Sequence, residues 1–162
     1  MHFGDSKFKA PQRDDVASLP PFHIAVQVRN IAETRAFYTK VLGCIEGRYA
    51  ETWVDFNFFG HQFVCHLNSN IGANGKIRSF HNSVDNHDVP IPHCGIILAM
   101  DDWKKLAEKL QNEDVDFVIE PYIRFKGLAG EQATMFLMDP SGNALEFKGF
   151  TDIDAQLFST TV

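Results

Sequence analysis

Residues 21–43 read PFHIAVQVRNIAETRAFYTKVLG, a stretch that decides the fold because it predicts a strand followed directly by a helix. Apolar and polar side chains alternate over residues 22–29, which is typical of a strand with one buried face. Asn30 is typical of a helix N-cap, and Glu33 stands at the position of its capping-box partner. Apolar residues at helical spacing follow, and Gly43 predicts the end of the helix.

The same order of patterns occurs a second time further along the chain. Extended patterns follow the first helix near residues 45–49, 52–59 and 62–68. The second set comprises a strand over 93–100, a helix capped by Asp101 or Asp102, and extended patterns near 116–125, 131–138 and 144–150. The sequence therefore predicts an α+β protein of two strand–helix–three-strand units around one core, with a helix on the outer face of each unit.

The remaining segments predict a linker and two ends. Residues 69–92 have loop composition, and a loop of this length is typical of a functional lid or a linker between units. Residues 1–21 predict an N-terminal arm, and residues 151–162 predict a C-terminal tail. We therefore expect one domain over residues 22–150, made of modules 22–68 and 93–150.

Composition narrows the classes of function. The chain has 162 residues with a formal net charge of −6, which argues against a general nucleic-acid binder or an acidic-membrane binder. No apolar run approaches the roughly 20 residues needed to span a bilayer, and the N-terminus lacks an apolar signal core. Three widely spaced cysteines favour reduced thiols. We therefore expect a cytoplasmic protein.

The first and last predicted strands of each unit carry a possible metal ligand on their less apolar face. These residues are His23, His66, His93 and Glu146. Because side chains alternate across a strand, the four groups can line one concave surface, and such a donor set suits Fe(II), Mn, Ni or Zn. The opposing interpretation is that each histidine is simply hydrogen-bonded or half-exposed, since alternation alone does not make the strands neighbours.

Three further residues are candidates for contact with a substrate. Tyr122 and Arg124 share one face of the sixth predicted strand, and Lys148 shares the face of Glu146. An exposed arginine that contacts only solvent is the plainer interpretation of Arg124.

At these residues the sequence resembles the vicinal oxygen chelate superfamily, which includes glyoxalase I, bleomycin-resistance proteins and extradiol dioxygenases. The resemblance lies in PFHIAVQVRNIAETRAFYTKVLG (21–43), VCHL (64–67), PHCGIIL (92–98) and MDPSGNALEFKGF (138–150), and it spans about residues 22 to 150. FNFFGHQFVCHL and HDVPIPHCGIIL look most similar to predicted dioxygenases of the extradiol type.

The resemblance implies a pair of βαβββ modules whose curved sheets enclose one metal site. It implies metal ligands at His23, His66, His93 and Glu146, of which the extradiol enzymes use the positions of His23, His93 and Glu146. His66 stands where glyoxalase I is expected to carry a glutamate that is both ligand and base. His66 is therefore either a fourth metal ligand or an acid/base residue that moves protons.

The resemblance also implies a function and leaves alternatives. The first is a dioxygenase-like enzyme, with Fe(II) favoured, acting on a catechol-like substrate chelated through two adjacent oxygens. The second is a glyoxalase-like lyase, isomerase, epimerase or thiol transferase that uses Zn, Ni or Mn. The third is a drug-binding resistance protein without catalysis. A homodimer is expected, because symmetric pairing is the commonest assembly.

Overall fold

A computed structural model describes residues 19–113 and 115–160. The strands and helices in these residues are β1 (His23–Val28), α1 (Ile31–Ala36), β2 (Ile45–Ala50), β3 (Trp53–Phe58), β4 (His61–Leu67), β5 (Phe80–Val84), β6 (His87–Ile91), β7 (His93–Ala99), α2 (Met100–Asn112), β8 (Phe117–Arg124), β9 (Gln132–Met138), β10 (Ala144–Phe150) and α3 (Ile153–Gln156). Helix α1 continues as a π-helical turn over Phe37–Val41, and a 3₁₀ turn covers Ser69–Ile71.

Two four-stranded sheets share the same topology. The first has the order β1-β4-β3-β2, and the second has the order β7-β10-β9-β8. In each sheet the first strand of the module runs parallel to the last, and the other pairs are antiparallel. The predicted α+β fold of two βαβββ modules is therefore confirmed.

One apolar core joins the two modules. Val28, Tyr38 and Phe63 of the first module belong to the same fully buried cluster as Leu110 and Phe147 of the second. Helix α2 contributes its predicted apolar stripe to this cluster, and the indole nitrogen of Trp103 donates to the Phe147 carbonyl at 2.8 Å. Because the helices pack on one face of each sheet, the opposite face carries the polar side chains; we call it the helix-free face.

The turn before β10 fastens the second module to the first. The Tyr38 hydroxyl donates to Oδ2 of Asp139 at 3.2 Å, and both side chains are buried. The Asn143 side chain donates to the backbone carbonyl of Gln27 in β1 at 3.0 Å. These bonds fix β10 relative to β1, the two strands that carry Glu146 and His23.

The helix starts differ in part from the prediction. Asn30 caps α1 as expected, since its Oδ1 accepts from the Glu33 backbone at 3.0 Å. The Glu33 carboxylate does not complete a capping box, because it binds Arg29 instead. Helix α2 begins at Met100 without a side-chain cap. The prediction that Asp101 or Asp102 caps this helix was wrong. Both residues lie in the first turn, where a carboxylate interacts favourably with the helix dipole.

The segment predicted as a loop contains an antiparallel hairpin, β5–β6. Its register runs from the Phe80–Ile91 pair to the Val84–His87 pair. Asp85 and Asn86 form the turn with positive φ angles of 51° and 63°, as a two-residue type I′ turn requires. The expectation of a structureless loop was wrong because both strands are only five residues long and each carries a short apolar pattern among polar residues.

The two predicted ends of the chain are described only in part. Residues 1–18 of the predicted arm lie outside the described residues, and the predicted tail contains the short helix α3. No helix in residues 19–113 or 115–160 is long and apolar enough to cross a membrane.

Candidate metal centre

The second module brings His93 and Glu146 together on its helix-free face. Strands β7 and β10 are parallel neighbours, and His93 Nε2 lies 3.2 Å from Glu146 Oε2. The other ring nitrogen, Nδ1, donates to the Pro90 carbonyl at 2.7 Å, because a carbonyl oxygen accepts only. The hairpin end therefore orients the ring so that Nε2 faces the carboxylate.

The environment of Glu146 favours its charged form. Burial disfavours ionisation, but His93, Lys148 and Thr134 together outweigh it, so the pKa of Glu146 is lowered. The hydrogen bond to Glu146 raises the pKa of His93 despite burial, which opposes it. Nδ1 is committed to Pro90, so Nε2 and Glu146 Oε2 are the two atoms of this pair that could bind a divalent cation.

The first module has a matching pair in His23 and Gln62. The two residues are directly opposite in the β1–β4 register, and His23 Nδ1 donates to Gln62 Oε1 at 2.8 Å. The Gln62 amide nitrogen donates to Oδ2 of Asp55 at 3.1 Å, which fixes the orientation of the amide. The buried Asp55 carboxylate also accepts from the backbone nitrogen of Arg48. His23 thus keeps Nε2 as a free acceptor for a metal.

His66 does not lie with the other candidate ligands. It pairs with Gln27, four residues along β4 from Gln62, and its side chain is exposed. At about 3.3 Å per residue, this places it roughly 13 Å along the strand from His23. The alternation of side chains along β4 predicted the correct face for His66. It could not predict the position along the strand, because shifting the register by two or four residues keeps each side chain on the same face. Gln62 lies on the same face and is directly opposite His23.

The two pairs remain separate within the chain. Among the described residues, no three His, Cys, Asp or Glu side chains converge to hold one metal ion. A cleft of about 340 Å³ between the modules is lined by Gln62 from one pair and His93 from the other. Each module therefore presents one imidazole beside one side-chain oxygen, a pair that we call a candidate half-site.

The family profile described as the Glyoxalase/Bleomycin resistance protein/Dioxygenase superfamily matches residues 21–147. The chain belongs to this superfamily. The superfamily resemblance read from the sequence is thus confirmed.

Solved structures of superfamily proteins are similar over most of the chain. A glyoxalase/bleomycin resistance protein/dioxygenase from Alicyclobacillus acidocaldarius is 31% identical, with a TM-score of 0.68, covering 84% of this chain and 95% of the other. A lactoylglutathione lyase from Agrobacterium tumefaciens is 11% identical, with a TM-score of 0.54 and coverages of 84% and 97%. The latter likeness shows the fold alone. No functionally curated protein matches the chain in sequence.

In this superfamily member two of the three candidate substrate residues, Lys148 and Tyr122, lie near Glu146 on the helix-free face. Lys148 Nζ lies 3.7 Å from Glu146 Oε1, and Tyr122 pairs across β8–β9 with Thr134, which donates to the same oxygen at 2.8 Å. Arg124 Nε donates to Oδ2 of Asp85 at 2.6 Å. Arg124 therefore holds the hairpin and is not free for a substrate.

Three residues of this face were missed from the sequence. Neither Gln62 nor Asp55 belongs to a sequence pattern that indicates a metal site, although Gln62 shares the face of His66. His87 lies in the segment 69–92 predicted as a lid or linker, and its ring lies against that of Tyr122 with centroids 4.5 Å apart. Asp85 and Asn86 were the residues in the sequence that could have indicated the turn of the hairpin that positions His87.

Proposed function

We propose that the protein is a metal-dependent, dioxygenase-like enzyme in which His23, His93 and Glu146 hold a divalent cation that chelates two adjacent oxygens of a small substrate. The observation that carries the proposal is the shared geometry of the two histidines. Each commits Nδ1 to a fixed acceptor and presents Nε2, which is how metal-binding imidazoles are oriented in proteins.

The donors suit the metals that the superfamily typically uses. Two imidazoles and one carboxylate form the facial set of non-haem Fe(II) sites and leave coordination positions open for a chelating substrate and O₂. The metal would supply Lewis acidity, which lowers the pKa of substrate hydroxyl groups. A dication with one carboxylate carries about +1, which favours an anionic substrate such as a catecholate.

The role of Gln62 distinguishes a dioxygenase-like activity from a lyase or isomerase activity. Its hydrogen bonds to His23 and Asp55 support a role in orienting His23 rather than in binding metal. If Gln62 instead rotated to bind the metal, four protein donors would leave about two positions of an octahedron, enough for substrate but not for O₂ as well. That arrangement would favour the glyoxalase-like alternative with a redox-silent metal.

The separation of the half-sites supports a homodimer. We propose that His23 of one protomer and the His93–Glu146 pair of its partner share each metal, because the pairs do not meet within one chain. β1 and β7 are the outer strands of their described sheets, and Phe22 beside β1 is 63% exposed. An exposed aromatic side chain at such an edge favours burial against a second copy.

Complementation between inactive variants tests this arrangement. The His23→Ala and Glu146→Ala proteins should each bind little metal, since each variant damages both sites of a homodimer. A mixed dimer, formed by unfolding and refolding the two together, should regain one intact site, or about half a metal per chain. Mixing two preparations of His23→Ala is the control. No regain in the mixed dimer would place the whole site in one chain.

Metal content and O₂ consumption test the chemistry. Protein loaded anaerobically with Fe(II) should consume O₂ with a panel of substituted catechols, and His66→Gln should retain both metal and turnover. Turnover with Zn(II) and without O₂ uptake would select the lyase or isomerase alternative. Metal-free protein that still binds drug-like ligands would select the resistance-protein alternative.

A further inference from the structure

We propose that the second module selects a planar substrate bearing an additional anionic group, which Lys148 binds while the His87–Tyr122 pair stacks against the ring. This inference rests on the proposed function, because it places the part of the substrate that the metal does not hold. It also gives the hairpin β5–β6 a role in substrate specificity.

Lys148, Thr134 and Tyr122 form a row across the helix-free face of the second sheet. Thr134 is directly opposite Lys148 on one side and Tyr122 on the other. Two strand spacings separate the outer members, or about 10 Å between backbones. The short, buried Thr134 side chain forms the floor between two longer side chains. We place the ring of the proposed substrate above this floor, beside Glu146.

Lys148 supplies the positive charge of this subsite. Its Nζ is 3.7 Å from Glu146 Oε1, which is too long for a hydrogen bond, and that oxygen accepts from Thr134. Its side chain is 31% exposed, so the ammonium group can be reached from solvent. When Glu146 shares its charge with a metal, the ammonium group loses its compensating partner and favours a second anion.

The hairpin supplies the aromatic wall. The His87 ring lies on the Tyr122 ring at 4.5 Å with an angle of 32° between the planes. The Asp85–Arg124 ion pair holds the turn of the hairpin onto the end of β8, and the Arg124 side chain is only 18% exposed. Arg124 is therefore a positioning residue, and His87 is placed beside the metal-binding face although it lies between the two modules in the chain.

Two probes with the same ring separate charge from stacking. Benzenesulfonate is an anion that binds metals poorly, and benzyl alcohol is its neutral counterpart. Ligand-observed NMR titrations with Zn(II) present should show benzenesulfonate binding at least fivefold more tightly. Lys148→Gln should abolish this preference, and Lys148→Arg should restore most of it. Lys104→Gln, an exposed lysine on α2, is the matched control and should change nothing.

A second pair of variants tests the aromatic wall. His87→Ala should weaken both probes to a similar extent, by at least threefold, because a stacking surface does not depend on the charge of the ring substituent. His81→Ala removes another histidine of the same hairpin, one that pairs with Asp88, and should leave both affinities unchanged. Thermal unfolding of each variant checks that the fold is retained.

The outcomes distinguish this inference from the proposed function. Equal affinity for the two probes, or a preference that survives in Lys148→Gln, overturns the inference even when metal binds. If the protein binds no metal but still prefers benzenesulfonate, and this preference depends on Lys148, the result supports the subsite and overturns the metal-dependent function.

Discussion

At the residue scale, the buried carboxylate of Asp55 decides which atom Gln62 presents to His23. Its Oδ2 accepts from the amide nitrogen of Gln62 at 3.1 Å, so Oε1 faces the imidazole. We expect Asp55→Ala to lower metal affinity about 10–100-fold, because residues that orient a ligand typically have effects of this size. Competition with a chelator measures the change.

A conservative substitution separates orientation from general damage at this position. Asp55→Asn keeps an acceptor oxygen for the Gln62 amide but loses the one for the Arg48 backbone, so its metal affinity should fall less than that of Asp55→Ala. Equal loss in both variants would mean that Asp55 acts through the fold instead. No sequence pattern marked Asp55, because a single aspartate in a strand looks the same whether it is exposed or supports a ligand.

At the element scale, the pairing of β7 with β10 depends on Gly95. A Cβ atom at this position would collide with the backbone carbonyl oxygen of Glu146. Gly95→Ala should therefore push the two strands apart, weaken the His93–Glu146 contact and reduce bound metal several-fold. Ile97→Ala, on the same face of β7 and 40% exposed, should have little effect on metal content. Elemental analysis of both variants checks the prediction, and equal metal occupancy would contradict it.

The elements show where sequence patterns are sufficient and where they fail. Apolar alternation predicted β1, in which Ile24, Val26 and Val28 share the more buried face. It placed His66 on the correct face of β4 but at the wrong level, since register depends on pairing between strands. It missed β5–β6 because the pairing there rests on a turn and on contacts to β8, neither of which is an apolar pattern.

At the scale of the whole molecule, the Tyr38–Asp139 bond links two modules that share one core. Asp139 also accepts from the backbone and side chain of Asn143 and from the backbone of Ser141. Asp139→Ala leaves these buried donors without an acceptor and should lower the free energy of unfolding by about 3 kcal/mol. Tyr38→Phe removes one bond and should cost about 1 kcal/mol.

Urea denaturation of both variants checks these values and the cooperativity of the molecule. A single transition is expected, because residues of both modules are buried in one cluster. Two separate transitions in either variant would show that the modules fold independently. The repeat of the strand–helix pattern predicted two modules, but no local pattern states whether their half-sites meet, since that depends on packing between distant segments.

The position of the hairpin β5–β6 beside the second module has an evolutionary consequence. The hairpin β5–β6 joins the modules in the chain and belongs to neither four-stranded sheet, yet it borders the face that carries Glu146. Substitutions near the turn of this hairpin, away from the Pro90 carbonyl that holds His93, can reshape one wall while both sheets stay in place. Related chains can therefore diverge in the substrate they accept faster than they diverge in chemistry, through changes in the exposed residues of this 12-residue hairpin.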